Sequence, residues 1–168
     1  YDGDITYFYG KGGYSFDLGN SGWKLSPELA LSYVKVKQDG FSETGTGNAP
    51  VFLLNVDAQS VESLRGTAQL RLSKTFLSGN GGGWMPYARI GLANEFEDDL
   101  RPITAGFQGA PNTHFTVYGD APRGTTAIFG LGVTGKVSES FSIYLDYSGE
   151  IGSDFSEHVI SGGARFHF

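Results

Sequence analysis

In the last eight residues, Ser161-Gly162-Gly163-Ala164-Arg165-Phe166-His167-Phe168, apolar and polar side chains alternate up to the final aromatic. A two-residue period belongs to a strand. Ile160, Gly162, Ala164, Phe166 and Phe168 therefore share one face, and Val159, Ser161, Gly163, Arg165 and His167 share the other. One face can lie against lipid while the other lies against water. The plain alternative is a half-buried strand of a soluble domain, and the rest of the chain has to choose between them.

The same period recurs six more times upstream. Phe141, Ile143, Leu145, Tyr147 and Ile151 alternate with Ser142, Tyr144, Asp146, Ser148 and Glu150. Ala127, Phe129, Leu131, Val133 and Val137 oppose Ile128, Gly130, Gly132, Thr134 and Lys136. Pro86 to Phe96 and Leu64 to Phe76 repeat the pattern, with Tyr87, Arg89, Gly91 and Glu95, and then Arg65, Gln69 and Arg71, on the polar side. Trp23, Leu25, Pro27, Leu29, Leu31 and Tyr33 oppose Lys24, Ser26, Glu28, Ala30 and Ser32. A first strand, from about Ile5 to Leu18, is less clean, because its aromatics fall on both faces.

The links between strands alternate as well. Gly19 to Gly22, Leu77 to Gly83 and Val137 to Ser140 are short and rich in turn residues, whereas Asp39 to Ser60 and Glu97 to Arg123 are long and polar; Gly152 to Glu157 is brief. Bacterial membrane barrels carry short turns on the periplasmic side and longer loops outside, which places Phe168 at the periplasmic end. On that orientation Phe16, Trp23, Phe76, Trp84, Phe141 and Phe168 lie close to periplasmic turns or ends, as one half of an aromatic girdle.

Composition agrees with a sheet. Aromatics are 14% of the chain and Gly supplies 26 of 168 residues, with no sustained helical period. No apolar run is long enough for a transmembrane helix, but a membrane barrel shows only segments of about ten alternating residues. The absence of cysteine removes disulfides and thiolate metal sites. A net charge of −6 argues against nucleic-acid binding, since no basic patch is present to displace counterions from phosphates.

Simple alternation yields about 7–8 strands, the eighth only if Ile103 to Tyr118 forms its own hairpin. An odd count leaves Tyr1 at the extracellular end and two sheet edges unpaired, which in lipid is costly. The expectation is therefore of upstream strands, or a partner, completing the wall.

Several stretches carry a family likeness: Leu25-Ser26-Pro27-Glu28-Leu29-Ala30-Leu31-Ser32-Tyr33, Lys37-Gln38-Asp39-Gly40-Phe41-Ser42-Glu43, Ser63-Leu64-Arg65-Gly66, Trp84-Met85-Pro86-Tyr87-Ala88-Arg89 and the terminal octapeptide. In order and spacing the chain resembles the C-terminal portion of an autotransporter β-domain, the translocator of type V secretion. Read as polar-x-Gly-x-x-aromatic-x-aromatic, Ser161, Gly163, Phe166 and Phe168 resemble the C-terminal assembly signal of outer-membrane barrels. The resemblance implies a barrel of about twelve strands, a helix in its lumen, a passenger polypeptide exported with its help, and the barrel-assembly machinery as partner. The chain departs from the family in length, lacking roughly five strands, the helix and any passenger on that barrel size.

The polar side of the strands collects Glu28, Arg65, Arg71, Arg89, Glu95, Asp146, Glu150 and Arg165, while the apolar side is nearly free of charge. A Lys or Arg on the lipid face at mid-bilayer costs roughly 2–4 kcal/mol, whereas a watery lumen accepts it. This wall either contacts the lumenal helix or a passing polypeptide, or is a set of solvated ion pairs that keeps the pore wet. Gly91, Gly130, Gly132 and Gly163 also project inward, which suggests rings packed over glycine, with Tyr144 expected over Gly130 and Gly132 and Tyr87 as a further candidate. No catalytic residue is assigned. Asp98 with Asp99 reads as a loop acid pair, Ser153, Asp154 and His158 lie too close in sequence for a triad, and His114, His158 and His167 have no metal-ligand spacing.

The reading is one segment, residues 1–168: an all-β, transmembrane antiparallel up-and-down β-barrel, present in part, in the bacterial cell outer membrane. It is expected to anchor an N-terminal passenger and help export it, without enzyme activity, cofactor or metal. Its partners are the lipid bilayer, the passenger and the assembly machinery, and not nucleic acid. The rival is a self-contained small barrel acting as adhesin or anchor through its long loops, with a soluble β-sandwich third.

Overall fold

The computed structural model describes residues 2–45, 52–78, 82–97, 101–110, 112–119 and 124–166. In chain order the strands are β1 (Gly3–Gly13), β2 (Phe16–Asp17), β3 (Trp23–Gln38), β4 (Phe41–Ser42), β5 (Leu54–Val56), β6 (Gln59–Lys74), β7 (Phe76–Leu77), β8 (Gly83–Glu95), β9 (Pro102–Phe107), β10 (His114–Tyr118), β11 (Thr125–Lys136), β12 (Phe141–Ile151) and β13 (Ser156–Phe166). Gly19–Ser21 forms a 3-10 turn.

The principal sheet runs in the order β1-β3-β6-β8-β11-β12-β13, with β2 added to β3 and β7 to β8. Seven long strands succeed one another in chain order, which is the up-and-down connectivity that short turns and long loops imply. Contacts divide the chain into two compact units. The first holds residues 1–9, 32–65 and 95–122, and the second holds 10–31, 66–94 and 123–168.

The second unit carries the alternation in its cleanest form. In the β11–β12 pairing Gly130 faces Ser148, Gly132 faces Asp146 and Thr134 faces Tyr144, while Leu131 faces Tyr147 and Val133 faces Leu145. The β8–β11 and β12–β13 registers keep that parity: Arg89 lies opposite Gly130, Tyr87 opposite Gly132, and Ser161 opposite Asp146. Because opposite residues in an antiparallel pair share a face, one surface is polar across four strands and the other is aliphatic. The aliphatic surface is uncovered, with Ile90, Leu92, Leu131, Leu145 and Ile160 all exposed. Buried hydrophobic residues among those described are limited to Ala93 and Ala105. The apolar surface faces outward rather than into a dry core, which is the arrangement of a sheet solvated by lipid.

The first unit contains a separate four-stranded antiparallel sheet, β10-β9-β5-β4. Ile103 to Tyr118 thus makes its own hairpin, with Thr104 opposite Thr116 and Val117 opposite Ile103, in a different sheet from the seven long strands. Both long links contribute, since β4 and β5 come from the first and β9 and β10 from the second. β3 continues past the alternating stretch to Gln38 and β6 begins at Gln59, ahead of Leu64, so the two strands meet the ends of the expected Asp39–Ser60 link. The first strand is interrupted, ending at Gly13 and resuming as β2.

The extension of β3 and β6 has a chemical signature. Up to Leu31 the odd residues of β3 are Trp, Leu, Pro, Leu and Leu; beyond it they are Tyr33, Lys35 and Lys37, and the even ones become Val34 and Val36. The apolar face of the strand has changed sides. On β6, Glu62 lies on the face that carries Leu70 and Leu72, and Val61 on the face that carries Gln69 and Arg71. On β3 the break between the two units, at Leu31/Ser32, falls at this change of phase, whereas on β6 the apolar side holds to Leu64, beyond the break at Arg65/Gly66.

Candidate functional site

The polar surface of the second unit carries several groups of hydrogen-bonded and ion-paired side chains. On β8 and β12, the Tyr87 hydroxyl donates to Oδ2 of Asp146 at 2.6 Å and Nη2 of Arg89 donates to Oδ1 at 3.0 Å, so both carboxylate oxygens are engaged. The guanidinium of Arg71, on β6, lies 3.8 Å over the Tyr87 ring. One strand further, Gln69 donates to Oε2 of Glu28, which also receives Lys11 Nζ at 2.8 Å. Toward the other end Thr126 donates to Oε1 of Glu150 at 2.8 Å. Five neighbouring long strands and β12 thereby share a surface of paired charges, and no buried side-chain polar atom among the described residues lacks a partner.

Glycine makes this surface possible at two positions. The Tyr87 ring lies where a side chain at Gly132 would have to sit, and the Tyr144 ring occupies the corresponding space at Gly163, with its nearest atom 2.6 Å from where a Cβ would stand. Ring-over-glycine packing is therefore present, with a different partner for Tyr144 than expected. Tyr144 sits directly opposite Gly163 of β13 and covers that residue, and Gly130 is filled by Arg89 instead. The physical reason is register: the ring turns onto the residue across from it on β13, while on β11 its opposite number is Thr134, not a glycine.

The remaining predicted residues distribute over both units. In the first unit Glu95 accepts from Ser63 Oγ and from the Leu64 backbone N–H, each at 2.7 Å. Arg65 lies on the same face of β6 as Ser63. Arg165 is exposed opposite Ser142. Ser161 faces Asp146, and Phe166 stacks on Phe141 with ring centroids 4.6 Å apart. Trp23 and Phe76 both receive Lys74 Nζ, at 5.6 and 5.2 Å, in cation–π geometry. Phe16 packs edge-on against Tyr14 at 4.7 Å, and Trp84 lies beside Gly135. Phe168, His167, Asp98 and Asp99 lie outside the described residues.

The structure adds groups that the sequence did not single out. Lys11 and Thr126 complete the polar set beside Gln69. On the aliphatic surface Tyr147 and His158 stack with their planes 3° apart and share a 2.9 Å hydrogen bond through Nδ1, with Phe129 edge-on to the imidazole. The parity of β13 already put His158 on the apolar face, which was the available signal. Ser153 donates to Asp154 at 2.8 Å. The hydrogen bond of His158 goes to Tyr147 and not to Ser153 or Asp154.

In the first unit Lys35 and Glu62 form an ion pair, joined by the Tyr33 hydroxyl at 2.9 Å. The Lys35 ammonium, and then the Tyr33 hydroxyl, hold the Glu62 carboxyl below the ordinary glutamate value. The same hydrogen bonds raise Lys35 and Tyr33.

An uncovered aliphatic surface backed by a hydrogen-bonded ionic one defines an outer-membrane β-domain, all-β and antiparallel. The comparisons with known proteins agree. A family model for the autotransporter β-domain matches residues 1–148, and the chain belongs to that family. It is 28% identical over 161 residues to proteins named esterase EstA from Pseudomonas aeruginosa and Pseudomonas putida, covering 95% of this chain and 24% of each relative. It is also 30% identical over 129 residues to an uncharacterized protein of the trpE-trpG intergenic region of Pseudomonas putida, covering 73% of this chain and 19% of that one. The chain spans about a quarter of the length of the esterases it matches.

Proposed function

We propose that this chain is the membrane-embedded part of a longer precursor, anchoring an N-terminal passenger in the outer membrane and lining its way out. The observation that carries the reading is the Tyr87–Asp146–Arg89 cluster with its Arg71 cap. It sets fixed charges and donors on the surface opposite the lipid, where an extended or helical polypeptide can exchange hydrogen bonds with it. Glu28, Arg65, Arg71, Arg89, Glu95, Asp146, Glu150 and Arg165 are its contact set. Phe16, Trp23, Phe76, Trp84, Phe141 and Phe168 seat the sheet at the periplasmic headgroups. Ser161, Gly163, Phe166 and Phe168 mark the strand that the assembly machinery engages by edge-to-edge pairing. Ester hydrolysis, the activity in the relatives' name, is assigned to sequence beyond the matched quarter. The test is protease shaving of cells that express the full-length precursor with or without this β-domain. Passenger should reach the surface only when the β-domain is present, and surface passenger in its absence would overturn the reading.

A further inference from the structure

On the aliphatic surface of β3, β6, β8, β11, β12 and β13 within the second unit, Lys74 is the one Lys, Arg, Asp or Glu among the described residues. Its place is set by register. Gln69 bonds to Glu28 across β3 and β6, a Cβ on Gly91 would meet Gln69 across β6 and β8, and Phe76 lies opposite Trp84. Lys74 therefore stands between Trp23 and Pro86, and Leu72 between Leu25 and Ala88. Lys74 Nζ is 5.6 Å from the centre of the Trp23 ring and 5.2 Å from that of Phe76, so two aromatic faces hold the ammonium in place. There is room beside it. At Gly22, whose φ is +76°, the one atom among the described residues that an added Cβ would meet within 4 Å is Lys74 Cε, at 3.8 Å.

A cation on a lipid-facing surface costs most at mid-bilayer and least at the headgroups. Lys74 stands at the headgroup end, beside the Gly19–Ser21 turn and the short Leu77 to Gly83 link. Aromatic faces attract the ammonium but leave its charge in place, and no carboxylate among the described residues shares this surface. The counter-charge has to come from the membrane. From Lys74 the exposed side chains of Leu72 and Leu70 continue as an apolar track along β6, bordered by Leu25 and Pro27 on β3. An ammonium at the head of such a track matches a phospholipid, with its phosphate on Lys74 and an acyl chain along the leucines. Free phosphate would use only the first half of it.

We infer that Lys74, Trp23 and Phe76 form a site for one phospholipid of net negative charge, phosphatidylglycerol in kind, in the periplasmic leaflet. The inference rests on the seating of Phe16, Trp23, Phe76 and Trp84 at the periplasmic headgroups. The Lys74 ammonium donates to a phosphate oxygen while the rings pack against the glycerol and the first methylenes. Charge selects the headgroup. The ammonium of phosphatidylethanolamine would meet Lys74 as a like charge, with no acidic residue on this surface to receive it and two aromatic faces already occupied.

The experiment reconstitutes the full-length precursor in phosphatidylcholine vesicles that contain a trace of phosphatidylglycerol or phosphatidylethanolamine bearing a diazirine next to the phosphate. Labelled residues are mapped by mass spectrometry after irradiation. Phosphatidylglycerol should label Trp23, Lys74 or Phe76 about fivefold more than phosphatidylethanolamine does, the worth of one basic residue beside an anionic lipid. Lys74→Gln should remove that preference and Lys74→Arg should keep it. Equal labelling by the two lipids in the wild type, no label at these residues, or a preference that survives Lys74→Gln overturns the proposal. The wild-type comparison decides even where a variant fails to insert. A third probe, with the diazirine at the end of an acyl chain, tests the seating separately: it should label Leu131, in the middle of β11, and spare Trp23 and Phe76. The reverse pattern would sink the placing of that end among headgroups, whatever the lipid preference.

Discussion

Tyr87 and Asp146 are 59 residues apart in sequence, yet the phenol donates to the carboxylate at 2.6 Å across the intervening strand β11. The bond passes over Gly132, whose missing side chain leaves room for the ring. Three strands are tied by one hydroxyl and one glycine, and the same carboxylate holds Arg89.

Removing that hydroxyl by Tyr87→Phe should cost about 1 kcal/mol, the usual worth of a single hydrogen bond, with a larger loss of up to about 3 kcal/mol for Asp146→Asn, which weakens the Arg89 pair as well. Urea unfolding of the complete β-domain in vesicles measures both. Equal, negligible effects would show that water replaces the cluster freely.

Gly163→Val should block assembly, because its side chain would occupy the space of the Tyr144 ring. The readout is the fraction of protein whose electrophoretic mobility changes on heating. Combining Gly163→Val with Tyr144→Ala should restore part of that fraction, and failure of the double variant to recover would mean that glycine is needed there for backbone reasons alone.

Leu131→Arg should destabilise the inserted domain by roughly 2–4 kcal/mol, whereas Thr134→Arg, on the polar surface of the same strand, should cost far less. Unfolding in vesicles distinguishes them. Equal penalties would contradict the assignment of the two surfaces.

The Lys35–Glu62 pair predicts a pH window. Glu62, held low, contributes stability that is complete above its unfolded-state value and lost as pH falls through its depressed one. Lys35, held high, contributes stability that is complete below its unfolded-state value and lost as pH rises through its raised one. The pair is therefore intact across the neutral range. Carbon-detected NMR should give Glu62 a midpoint below ordinary glutamate, moving up in Lys35→Met; an unmoved midpoint would remove the pair as its cause.

The seven long strands and both their surfaces were readable because lipid imposes strict alternation: Leu131, Leu145 and Ile90 could not be placed otherwise. The ends of β3 and β6 were less legible, since Lys35 and Lys37 break the apolar pattern, and the place of Lys35 in the strand is seen only from its pairing with Glu62. The small sheet was hidden for another reason. Its strands β4 and β5 have two and three residues, too few for a period, and they exist only because β9 arrives from a distant link. The polar residues could be listed from sequence, but Tyr144 over Gly163 depended on register, which no single strand encodes.

The change of phase along β3 works as a depth gauge. From Trp23 to Leu31 is eight steps, or about 26 Å of strand at the usual rise, which a tilt of about 40° reduces to a vertical span of about 20 Å. A sheet ruled to that height suits a thin bilayer, as the bacterial outer membrane is. Placed in a thicker membrane, it would draw Tyr33 and the Lys35–Glu62 pair into oil.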